Sequence, residues 1–215
     1  VTAPLKNGEY FHICIQKNYI PHKPIERGDI LFVGQHHNPF FSFYEKARQY
    51  SVTTPQGQQK IPALRFLREV NRGTITCPDI AKQALAIANH YNILARELIM
   101  EEVRLQIAPD APSRKDCLWV VDSLRLAKYW QKKLTLKSYI VRLNLEGKFH
   151  CGDATFLLNE SEPISETYAN AEKYWRGEMS EDPLLEILFT GAGAVIEDHV
   201  DDHRAVSPAA LKTLE

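Results

Sequence analysis

The sequence predicts an α+β protein, and three observations carry that prediction. Short apolar runs of strand length open and close the chain, a long stretch of helical period fills its middle, and strand-like and helix-like segments alternate afterwards. With 215 residues, 44% of them hydrophobic and 25% charged, the chain can bury a sizeable core, and a single domain over residues 1–215 is the default expectation.

Residues 1–9 form a polar lead-in. Tyr10 to Ile15 then read as a buried strand interrupted by one histidine, His12, and closed by turn residues around Pro21 and Pro24. Arg27 to Gly34 is a second apolar segment that starts from a glycine turn. Gln35 to Tyr44 reads as a loop crowded with imidazoles and aromatic rings. His36 and His37 are neighbours, so a regular strand cannot aim both at one metal, and no third ligand follows them. The aromatic rings Phe41, Phe43 and Tyr44 either pack or line a cleft.

Tyr50 to Lys60 is polar, contains Pro55 and Gly57 and lacks periodicity, which predicts a flexible loop. A short helix is expected over Pro62 to Val70, and Thr76-Cys77-Pro78-Asp79 resembles a helix entry. From Ile80 to Ile107 the apolar residues recur at helical spacing, while Arg96, Glu97, Glu101, Glu102 and Arg104 supply a solvated face. Residues 61–108 are therefore a helical insertion with a structural duty, ended by Pro109 and Pro112.

Cys117 to Val121 is a strand, Asp122-Ser123 offers a cap, and Leu124 to Trp130 continues as a helix. Lys137 to Leu145 alternates as a strand, and Glu146-Gly147 is expected to turn it toward Phe149 to Asp153. Asp153 is either a second acid at a site or a turn residue. Ile164 to Trp175 fits an amphipathic helix with Arg176-Gly177 as its exit. Asp182 to Glu197 is almost wholly apolar: a strand, a turn at Gly191 and Gly193, and a second short strand from Ala194 to Ile196. After it, residues 198–215 read as a polar tail. The His199 and His203 pair there lacks the apolar context of a metal site.

Composition narrows the function. A net charge of −1 gives no global basic field, so tight unspecific binding of nucleic acid is not implied; Arg114, Lys115, Lys128, Lys132 and Lys133 can still make a local basic groove. Cys14, Cys77, Cys117 and Cys151 are widely scattered, as free thiols in a reducing compartment would be. No run approaches a membrane span and no signal-peptide pattern occurs, so a cytoplasmic protein without membrane contact is expected.

Two polar residues stand out on apolar strands. Glu186 costs several kcal/mol if it is ionised and enclosed without compensation, so it either lies on the open face of a half-buried strand or is aimed into a site. His12 is either a satisfied core histidine or a ligand-binding one.

Glu186-Ile187-Leu188-Phe189, followed by a glycine turn and a second short strand, resembles the closing element of the ADP-ribosyltransferase superfamily. There the glutamate is the catalytic acid of a His, Tyr, Glu or an Arg, Ser, Glu triad. Phe11-His12-Ile13 is similar to the first strand of that superfamily, whose histidine hydrogen-bonds the adenosine ribose of NAD. The strand through Trp119 and the helix after it resemble the middle element, in which a tyrosine stands against the nicotinamide. Trp119 departs from that pattern, since an indole offers the flat face without the hydroxyl.

The resemblance implies a split antiparallel sheet with a helical insertion after the first strands. It implies Glu186 as catalytic residue, His12 and Trp119 as binding residues, NAD as co-substrate and no metal. Ser113 and Arg114 offer a hydroxyl and a cation to the pyrophosphate or the target, or else belong to an exposed loop. The implied activity is transfer of ADP-ribose to RNA or protein by a bacterial toxin or effector, held in check by a neutralising antitoxin or immunity protein and acting in the cytoplasm or inside a target cell. The alternatives are a transferase of the same fold acting on a phosphorylated RNA end or a small molecule, and a module that binds nucleotide or a partner without turnover.

Overall fold

Seven strands and five α-helices form among the residues that the computed structural model describes, which are 5–16, 24–54, 57–134, 137–158 and 160–200. In chain order they are β1 (Gly8–Ile15), β2 (Ile30–Val33), α1 (Pro39–Glu45), β3 (Gln49–Thr54), β4 (Gly57–Pro62), α2 (Ala63–Asn71) and α3 (Ile80–Ile107). There follow β5 (Leu118–Val120), α4 (Leu124–Leu134), β6 (Ser138–Asp153), a 3-10 turn at Ala154–Phe156, α5 (Ile164–Trp175) and β7 (Leu185–Glu197). Helices and antiparallel strand pairs thus occupy separate stretches, which is an α+β arrangement. Among the described residues no helix is long and apolar enough to cross a membrane.

The chain divides into two compact units. A sheet unit comprises Val1–Val33, Leu118–His150 and Glu186–Glu215, and a helical unit comprises Gly34–Cys117 and Cys151–Leu185.

In the sheet unit the strand order is β1-β6-β7-β2. β7 takes β2 along Gly191–Ala194 and β5 along Ile187–Phe189. β5 also reaches β1, because Phe11 and Val121 exchange two backbone hydrogen bonds of 2.9 Å. β1 is therefore tied to β7 by two routes, one through β6 and one through β5. Alternation along β1 explains why it can be covered on both faces. Tyr10 and Cys14 are buried on one side, where Tyr10 stacks on Phe149 at 4.9 Å and Phe149 meets Phe189 at 5.0 Å. Phe11 and Ile13, on the other side, join Val121 and Ile140 beneath the Leu124, Ala127 and Trp130 stripe of α4.

Two expected turns are strand interior instead. β6 runs unbroken through Glu146-Gly147, and β7 runs unbroken through Gly191 and Gly193. The glycines are there because two backbones approach each other closely. A Cβ on Gly147 would stand 2.1 Å from the Thr190 carbonyl oxygen, and one on Gly191 would stand 2.3 Å from that of Glu146. Asp198 to Val200 are tied to the sheet unit although His199 stays exposed: His199 stacks on Tyr139 at 4.4 Å, and the Val200 amide donates to the Ile140 carbonyl. Residues 201–215 of the expected tail, His203 among them, lie outside the described residues.

The helical unit corrects two further expectations. Gln49–Thr54 and Gly57–Pro62 pair as a hairpin, not a loop. The strands are polar, yet Tyr50, Val52 and Ile61 give them an apolar side, and Tyr50 stacks on Phe66 of α2 at 4.3 Å. Within the expected aromatic loop, Pro39–Glu45 is a helix. Asn38 caps it by accepting the Phe41 amide at 2.9 Å, and Pro39 occupies its first turn, where a missing N–H costs nothing. α3 and α5 occupy Ile80–Ile107 and Ile164–Trp175, the expected ranges, and they are joined by the Trp175 indole donating to the Met100 carbonyl at 2.7 Å.

Candidate active site

β5 is only three residues long, and its backbone pairing with β1 is a single bridge at Val121, one residue past its end. Two residues before that bridge the Trp119 carbonyl is met by a side chain, the His12 Nδ1 at 2.8 Å. A carbonyl oxygen only accepts, so Nδ1 carries the proton. Burial pulls the imidazole pKa below its ordinary value, a tendency that the Trp119 carbonyl opposes, and the ring is therefore neutral near pH 7. A neutral ring protonated at Nδ1 has an acceptor lone pair at Nε2. His12 is thus oriented by backbone and equipped to receive a hydroxyl or N–H donor.

Trp119 is half-buried and sits opposite Leu188 in the β5–β7 register. Strand alternation puts its indole on the face of Leu188 and of Glu186, two residues earlier on β7. Diagonal neighbours of this kind lie about 7–8 Å apart, within reach of long or aromatic side chains. Glu186 is 7% exposed, next to buried Ile187 and Leu188. The three residues stand on β1, β5 and β7 of one unit, but alternation brings only two of their side chains to one face: Trp119 follows Val121 and its partner Phe11, on the side of Glu186, whereas His12 alternates with Tyr10 and Cys14 and meets Trp119 at the backbone carbonyl alone.

Ser113 and Arg114 belong to the helical unit and are not part of that set. Arg114 is 3% exposed. Its Nε donates to Glu97 at 2.9 Å, and another of its nitrogens donates to the Tyr174 hydroxyl at 3.1 Å. Ser113 Oγ donates to Glu101 at 2.8 Å. The solvated face expected for α3 is accordingly corrected at two positions, since Glu97 is 1% exposed and Arg104 is buried as well. Burial would raise the Glu97 pKa, but the Arg114 and Arg96 guanidiniums more than reverse this and hold it below the ordinary range. The sequence does contain a signal for this cluster. His90, Glu97 and Arg104 recur every seven residues and so line up along one side of the helix, where all three are buried.

Asp153 acts in a turn. Its carboxylate accepts the Thr155, Leu184 and Ser180 amides at 2.8–2.9 Å; burial opposes ionisation, and these hydrogen bonds lower the pKa to about 2. All four cysteines are free thiols, and burial pushes that of Cys14 up to about 12.

The model of a family described as "Protein of unknown function (DUF2441)" matches residues 10–202. The chain belongs to this family. The match spans His12, Trp119 and Glu186 and both units of the DUF2441 chain. No curated protein matches it.

Proposed function

We propose that this DUF2441 protein is an NAD-dependent ADP-ribosyltransferase with the split antiparallel sheet of that superfamily, transferring ADP-ribose to a macromolecule, RNA or protein. The observation that carries the reading is the backbone-anchored imidazole of His12 on the carbonyl of Trp119, whose indole shares a face with the buried acid Glu186.

The chemistry of these groups fits the co-substrate. A neutral imidazole with a free acceptor nitrogen matches a ribose hydroxyl, so His12 Nε2 holds the adenosine ribose. The Trp119 indole offers a flat face for the nicotinamide ring and no hydroxyl beside it. Breaking the bond between nicotinamide and ribose builds positive charge on the sugar, as in glycoside cleavage. Glu186 accepts a hydrogen bond from the nicotinamide ribose and stabilises that charge in a site already oriented for it.

The test is release of nicotinamide, with transfer of label from NAD carrying the label in its ADP-ribose part. Glu186→Gln is expected to lower turnover by on the order of 10²-fold or more while the unfolding midpoint stays near the parent's. A parent-like rate in that variant removes Glu186 from the mechanism. No nicotinamide release by folded parent protein, with either RNA or protein acceptors, removes the reading itself.

A further inference from the structure

α4 is unusual in charge for a chain whose net charge is −1. It carries Arg125, Lys128, Lys132 and Lys133 and no acidic residue. Burial divides the helix cleanly. Ala127 is fully buried, and Leu124, Leu126 and Trp130 pack against the Val121 and Ile140 cluster. Arg125, Lys128, Tyr129, Lys132 and Lys133 are exposed. Their spacing of three, four, seven and eight residues makes one stripe, about 12 Å long at 1.5 Å per residue.

Tyr129 lies within that stripe, 51% exposed, with the Lys133 ammonium 6.0 Å from its ring centre and 5.4 Å from that of Trp130. No ion pair among the described residues engages Arg125, Lys132 or Lys133. Compensation of the helix dipole explains Lys132 and Lys133, which lie in the last turn. It does not explain Arg125, a cation in the first turn where the dipole disfavours one, nor an exposed tyrosine with a lysine ammonium over its ring.

We propose that this outer face of α4 binds single-stranded RNA. The four cations complement the phosphates, and Tyr129 between them is a platform for a base, the combination by which single strands are held. A surface ring can stack only on an unpaired base. Duplex DNA keeps its bases inside the stack, whereas RNA loops and ends splay them out. The inference concerns binding and stands independently of the transferase reading.

Binding of a fluorescent, unstructured RNA oligonucleotide, followed by anisotropy without NAD over a range of salt concentrations, tests it. Saturable binding is expected, with a log–log salt slope of roughly −2 to −3 for three or four phosphates neutralised. Replacing Lys132 and Lys133 together by alanine should make the slope shallower by about 1.4. Tyr129→Ala should weaken binding about tenfold and leave the slope unchanged. Absence of binding, parent-like binding by both variants, or equal affinity for poly-glutamate or for DNA, single-stranded or duplex, would overturn the proposal. Because NAD is absent, a failure here leaves the proposed transfer standing, and a chain that binds RNA without cleaving NAD loses only that other reading.

Discussion

Each unit holds a histidine and a buried glutamate, His90 buried and His12 half-buried, and the two pairs are handled in opposite ways. On α3 of the helical unit, Glu97 is consumed by the guanidiniums of Arg96 and Arg114, and His90 is enclosed by Phe43, Tyr44 and Tyr91 with neither ring nitrogen hydrogen-bonded. In the sheet unit, His12 is pinned at one nitrogen by a backbone carbonyl, and Glu186 shares a strand face with an indole. Three of the four are buried, and His12 is half-buried. What sets His12 apart is that its ring is oriented by one hydrogen bond and keeps an acceptor nitrogen at Nε2.

The largest expected effect tests the scaffolding half. Glu97→Ala leaves two guanidiniums without their shared carboxylate, one of them deeply buried, and should destabilise the protein by about 3–5 kcal/mol in denaturant unfolding. A loss below about 1 kcal/mol would mean that solvent reaches Arg114, and Glu97 would not be the counter-ion that this helix needs.

A smaller effect tests the site half. His12→Phe keeps the ring and removes its acceptor nitrogen, so the KM for NAD should rise about tenfold with kcat nearly kept, the signature of a lost binding hydrogen bond. His90→Phe should change neither constant. An equal effect from the two histidines would erase the distinction.

Sequence periodicity located the long elements well, because α3 and α5 each present an apolar stripe long enough for the 3.6 period to show. Glycine is where pattern and structure part. Gly147 and Gly191 carry the composition of a turn but serve as the flat spots where β6 and β7 approach, a requirement set by a partner far away in the chain. The β3–β4 hairpin was hidden for a related reason, since its apolar side is small and depends on Phe66. Of the site, His12, Trp119 and Glu186 were legible as polar or aromatic interruptions of apolar strands. The hydrogen bond that orients His12 was not, because 107 residues separate donor from acceptor. Arg114 reads as a loop cation because Glu97, seventeen residues earlier, shows in the sequence only as part of a charged helix face.

The smallest expected effect concerns His90, which is 4% exposed. The Tyr44 and Lys46 carbonyls approach the ring without reaching hydrogen-bond geometry, and burial together with the Arg48 charge lowers its pKa below 6.5. An unpaired buried polar group costs about 1–3 kcal/mol, so His90→Phe, which fits the same aromatic surroundings, should stabilise the fold by about 1 kcal/mol. The sign of the pH dependence follows from the lowered value. Below about pH 6.5 the unfolded chain takes up a proton at this ring that the folded protein refuses, so stability is complete above that pH and falls as the solution is acidified toward the folded pKa. His12, also lowered, adds to the same slope. Unfolding measured from pH 7 to 5 should show the parent losing stability and His90→Phe losing less. An unchanged slope, or a less stable variant, would mean that the His90 ring is hydrogen-bonded after all, and the two histidines would then differ only in which partner each has found.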